Sequence, residues 1–216
     1  MLRQNSRSLH APVDQRGRST GLVGMTVLGW LLIVVIGSPL VFADSLSIKL
    51  SHNTPREMQT AQLLQKVVSS YDLTKYTYTR DVVIEERAIN HAFPILTLNA
   101  RFADSPDELL SSFIHEQLHW YLRDHHLQTE DGIAQLRRFY PRVPVGGSEG
   151  ADTLYSTYGH LIDCYLEIQA DRQLMGEERT MAVIRDKGHY TWIYKTDLDE
   201  EARIATIVQN ERLEIK

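Results

Sequence analysis

Residues 112–121 read SFIHEQLHWY. His115 and His119 stand four apart, and Glu116 directly follows the first. On a helix, positions i and i+4 project from one face, so both imidazoles can offer a nitrogen to a single metal ion. Glu116 lies about 100° further round the axis, beside the coordination positions that two histidines leave open. A carboxylate there can take a proton from an attacking water and hand it to a leaving amine. The neighbours Phe113, Ile114, Gln117, Leu118, Trp120 and Tyr121 carry no charge. Such a helix is expected to be buried on most sides, where imidazoles and a carboxylate are costly unless used or paired.

The elements around the motif follow from local signals. Ser105 precedes Pro106, which suits a first helical turn, and Glu108 completes a capping-box pattern. The spacing predicts a helix over about 106–123. Before it, residues 95–99 (ILTLN) and 76–86 (YTYTRDVVIEE) read as strands. Residues 55–71 form an amphipathic helix opened by Pro55, and 130–140 a shorter one. YPRVPVGGSEGADT, residues 140–153, is a loop punctuated by proline and glycine. A long helix over 151–175 ends near Gly176. GHYTWIYKT, 188–196, reads as extended, and 197–212 as a helix with an acidic first turn. The expected fold class is α+β: one mostly helical domain over 44–216, with a small sheet beside the histidine-bearing helix.

HEQLH resembles the signature of the zincin metallopeptidases. The resemblance covers the helix and the strand before it. It implies a Zn2+ ion, a peptide or protein substrate and a Glu116 general base acting on zinc-activated water. It also implies an edge strand that aligns substrate by backbone pairing, for which PILTLN (94–99) is the counterpart. The metzincin branch extends the motif with a glycine and a third histidine. Here Leu122 stands at the glycine position, although His125 has the histidine spacing, so that branch is set aside. The gluzincin branch takes a glutamate from a second helix, with an aspartate four residues later. Glu167 and Asp171 in GHLIDCYLEIQADRQ have that spacing. The resemblance makes Glu167 the third ligand and Asp171 the acid that orients a ligand histidine.

Taken at 100° per residue, His160, Cys164, Glu167 and Asp171 share a stripe about 60° wide, as a helix facing a metal site would show. His160 therefore stays open as the alternative third ligand, and Cys164 reads as a buried thiol. His189 and Tyr190 in KGHYTWIY are the candidates, by the same resemblance, for stabilising the oxyanion of the attacked carbonyl. His91 has no assignable role.

The chain is 43% apolar and 24% charged, which excludes a disordered or fibrous protein. A net charge of −5 speaks against a general nucleic-acid binder. The first 20 residues carry four arginines and one acid, and Gly21–Ala43 is uncharged. Small residues at Val41 and Ala43 follow a proline at position 39. This is the pattern of a signal peptide over 1–43, with an uncleaved membrane anchor as the alternative. Residues from 44 onward are expected outside the cytoplasm, periplasmic or secreted. The membrane enters only through an uncleaved N-terminal segment. Two other functions stay open: a zinc hydrolase of a non-peptide bond, and a binding protein that keeps the metal for stability.

Overall fold

The computed structural model describes residues 45–216; the expected signal or anchor segment lies outside them. Strand β1 (Ser47–Leu50) leads into helix α1 (Pro55–Ser70), and β2 (Asp81–Glu85) and β3 (Leu96–Asn99) follow. The helices α2 (Pro106–Asp124), α3 (His126–Phe139), α4 (Leu154–Met175), α5 (Glu177–Asp186), α6 (Thr191–Asp199) and α7 (Glu201–Asn210) complete the chain. The α+β class and the small sheet beside the histidine helix are therefore as expected. Among the described residues, no helix is long and apolar enough to cross a membrane.

The three strands are parallel in the order β1-β2-β3, with Ile48 opposite Val82 and Val83 opposite Thr97. Parallel strands need crossovers, and α1 supplies the first. It starts at a complete capping box: Thr54 accepts from the Glu57 N–H, and Glu57 reaches back to the Thr54 N–H. Glu57 also accepts from the backbone of His52 and Glu86, so one buried carboxylate ties the ends of β1, α1 and β2 together. The β2–β3 connection contains no helix. It folds back so that His91 and Thr97 exchange backbone hydrogen bonds of 3.1 and 2.8 Å.

The core lies between the sheet and α2, and between α2 and α4. Phe113, Ile114 and Leu118 of α2 and Leu161 and Ile162 of α4 are essentially inaccessible. Two devices set the position of α2. Pro106 occupies its first turn, and Gln117 anchors its middle. The fully buried Gln117 amide accepts from the N–H groups of Tyr78 and Thr79, and donates to the Thr79 carbonyl at 2.7 Å. The Ser105 hydroxyl makes no capping bond. Asp107 in that first turn instead pairs with Arg179 of α5, so a tertiary contact replaces the expected box.

Three other expectations change. GHYTWIYKT is not extended: Thr191 opens α6. Aromatic and β-branched residues favour strands only where a sheet is there to receive them. Ile193, Tyr194, Thr196 and Asp197 instead bury one helical face, and α6 packs on α4. The predicted 197–212 helix is broken at Glu200 into α6 and α7. Strand β1 and helix α5 were not anticipated, and the 76–86 strand shortens to β2. Gly176 does end α4, at φ 86°.

The glycine-rich loop positions a part of the site. Gly146 N–H donates to the Ala151 carbonyl at 2.8 Å, and a Cβ at Gly150 would lie 2.3 Å from the Pro144 oxygen, so no larger residue fits there. The Ser148 carbonyl accepts from the Thr191 N–H at 2.9 Å. This fastens the start of α6, where Tyr190 sits in the left-handed region at φ 56°.

Candidate metal centre

His115 and His119 of α2 meet His160 of α4. One ring nitrogen of each lies within 4.8 Å of those of the other two. The ring centroids stand 4.9, 5.0 and 5.5 Å apart, so the three rings form one cluster. All three lie in or beside the core, His115 and His160 each 7% exposed. The geometry is compatible with a bound metal ion.

Proton placement favours the same conclusion at two of the three rings. The Nδ1 of His160 lies 2.7 Å from the Ser156 carbonyl, which can only accept, so Nδ1 carries the hydrogen and Nε2 keeps a free lone pair. Burial, with the neighbouring His115 and His119, pushes the His160 imidazole down to about 3. Burial pushes His119 down as well. Both are thus neutral, as metal ligands must be. His115 differs. Burial alone would lower it, but the Asp163 charge and hydrogen bonding hold it well above the usual range. Its Nδ1 donates to Glu167 Oε2 at 3.0 Å, so His115 carries a positive charge here and would have to give up the Nε2 proton to take a metal.

Asp163 supplies the independent test of fit. Its Oδ2 lies 2.9 Å from His115 Nδ1 and 3.9 Å from His119 Nε2. The first is an ion-pair distance without hydrogen-bond alignment, and neither oxygen of this fully buried carboxylate has a hydrogen-bond partner. Burial would raise it, yet His115 and His119 keep it ionised. A buried, incompletely paired anion is costly. A cation held by the three rings beside it would take over the compensation that the charged His115 ring supplies, and would let that ring become neutral. The residues present fit a metal.

Glu167 is brought to His115 and Cys164, and does not form a ligand group with His119. Its oxygens are fully engaged. Ser111 donates at 2.6 Å, Tyr194 at 2.7 Å, His115 at 3.0 Å, and the Lys187 ammonium forms an ion pair. Burial would raise its pKa, but Lys187 and His115 bring it well below the ordinary range. With four donors on two oxygens, no lone pair faces outward. Asp171, one turn on, touches none of the three histidines through a hydrogen bond or ion pair. Burial and Glu167 push it up to about 8, so it is mostly protonated at neutral pH. Glu167 and Asp163 occupy the orienting place expected of Asp171.

Glu116 is 4% exposed, and burial raises its carboxyl to about 7. A group balanced near neutrality can both take and give a proton. Tyr190 reaches the cluster, its ring 4.4 Å from His160 and 6.2 Å from His115. Burial pushes its hydroxyl up to about 12, so it remains a donor. His189 meets Tyr190 edge-on at 4.9 Å but is exposed. Cys164 is buried and, pushed up to about 12, stays a thiol. His125 turns away, its Nδ1 on the Tyr121 carbonyl. The edge of β3 is not free: His91 pairs with Thr97, and the Asn90 side chain accepts from the Asn99 N–H at 2.7 Å. A substrate strand cannot pair there as the zincin resemblance implies.

Four residues escaped the sequence reading: Ser111, Asp163, Lys187 and Tyr194. Only Asp163 left a trace, as an acid between Ile162 and Cys164 in a largely apolar stretch. Lys187 joins α5 to the site from twenty residues away. Lys187→Met would leave Glu167 buried without its main countercharge, a loss of about 3 kcal/mol. The Lys187 side chain is 11% exposed and Glu167 1%, so solvent screens little of it. Urea unfolding of the metal-free protein measures this; an unchanged midpoint would show the pair to be energetically neutral.

Comparison of the chain with protein-family models, curated proteins and solved structures finds no match.

Proposed function

We propose that this chain is a zinc-dependent peptidase, with His115, His119 and His160 as metal ligands and Glu116 as general base. The observation that carries the reading is the cluster of three imidazoles, one nitrogen of each within 4.8 Å of the others, with a buried carboxylate balanced near pH 7 on the residue next to His115. A structural site has no use for such a group. Three nitrogen donors with one position open are the donor set of catalytic zinc. When bound, zinc would supply a Lewis acid that polarises a carbonyl and acidifies water.

The chain's own residues do the rest. Glu167 holds the His115 ring through Nδ1, and the buried Asp163 charge lies against the same nitrogen, so Nε2 would be the ligand atom. The Ser156 carbonyl does the same for His160. Glu116 accepts the proton of the attacking water and delivers it to the leaving nitrogen. The Tyr190 hydroxyl donates toward the carbonyl oxygen as negative charge develops there. Because the β3 edge is covered, substrate alignment falls to the walls around the cluster rather than to strand pairing. The apolar N-terminal segment supports an extracytoplasmic location, cleaved after Ala43 or retained as an anchor.

Elemental analysis of the purified full chain in mild detergent, alongside cleavage of a mixed peptide library, tests the reading. One zinc per chain and new peptide termini are expected, both lost on chelation. Zinc without peptide cleavage would turn the assignment to a non-peptide substrate or a structural site.

A further inference from the structure

A cavity of about 300 Å3 opens directly against the histidine cluster. His119 and His160 form one wall, and Phe93, Leu122, Ile133 and Tyr155 contribute to the others. Leu122 and Ile133 are core residues, whereas Phe93 and Tyr155 are 41% and 48% exposed at its rim. The rim is built rather than loose. Trp120 Nε1 donates to the Ala92 carbonyl at 2.9 Å and its ring packs 5.0 Å from Phe93. The Arg123 guanidinium lies over both rings, at 4.0 and 4.8 Å. Among the described residues no carboxylate lines the cavity.

We infer that this cavity receives a large apolar side chain, of the size of leucine or phenylalanine, on the residue next to the scissile bond. The inference rests on the peptidase reading and specifies its substrate class. A carbonyl held at the three histidines brings its neighbouring side chain within reach of a wall made by two of those same histidines. Apolar lining rewards burial of that side chain. Arg123 at the rim and the lack of any acid disfavour lysine and arginine. The cavity is formed without a bound ligand, as small-molecule pockets usually are.

Gly159 gives the test. It lines the cavity next to His160, and a Cβ built there meets no atom within 4 Å. Leucine at this helical position has open space to fill and a better helix propensity than glycine. The probes are dipeptide hydroxamates carrying phenylalanine, leucine or glycine beside the chelating group, titrated calorimetrically into the zinc-loaded full chain in detergent. The phenylalanine and leucine compounds should bind at least ~10-fold tighter than the glycine compound. In Gly159→Leu, with zinc content and thermal unfolding confirming a folded, loaded protein, that ratio should fall close to one. Equal binding of the three probes by the original chain, or an undiminished ratio in the variant, would overturn the inference. Peptide cleavage separates the two claims. Cleavage without side-chain preference sinks the cavity assignment and leaves the peptidase. Selective probe binding without any cleavage sinks the peptidase and leaves the cavity.

Discussion

Alanine at His160 should cost the protein its metal, while alanine at Glu167 should only weaken it. The His160 imidazole is neutral, presents Nε2, and stands 5.0 Å from the His119 ring and 5.5 Å from that of His115. Removing one of three protein ligands should reduce affinity by several orders of magnitude. Glu167 acts one bond further out. Its loss frees the His115 ring and leaves Lys187 unpaired, an outer-shell defect of about 10–100-fold in affinity. Competition for zinc against a chelator of known affinity, at fixed pH and on each folded variant, reads both. If Glu167→Ala were the one to lose zinc and His160→Ala kept it, the carboxylate would be the ligand after all. The gluzincin pattern would then extend past the first helix.

Glu116→Gln should retain the metal and lose nearly all hydrolysis. The amide nearly matches the carboxylate in shape, so the burial around it is undisturbed, but it cannot accept the proton. General-base catalysis of this kind is worth at least ~10²-fold. The expected pattern is zinc stoichiometry unchanged, KM little altered, and kcat reduced by that factor or more. Loss of zinc in this variant would make Glu116 a ligand. Full activity would assign the base elsewhere.

The contrast between Glu167 and His160 shows where sequence reasoning stops. Both lie on one helical stripe, and helix periodicity alone puts them there. Which of the two reaches a metal depends on where α4 crosses α2 and at what angle, and no spacing within either helix encodes that. The crossing found here sets His160 against the His115–His119 pair. It leaves Glu167 two turns further along, where Ser111, Lys187 and Tyr194 claim its oxygens. Asp163 was overlooked for a related reason. An acid in a helix reads as a solvated group until its neighbours are known, and its neighbours come from another helix.

The i,i+4 histidines, the glutamate between them, the helix that carries them and its apolar surroundings are local properties. They follow from a 3.6-residue period and from which side chains dislike water, so the sequence by itself determined them, together with the α+β class. The meeting of His160 with the histidine pair, the carboxylates packed against the rings, the helical state of Thr191–Asp199 and the covered edge of β3 were decided only by the tertiary structure. Each depends on a contact between segments far apart in the chain. A lone residue carries donors, acceptors and charge, but its protonation, its free lone pair and its direction are set by whatever else is packed within a few ångströms.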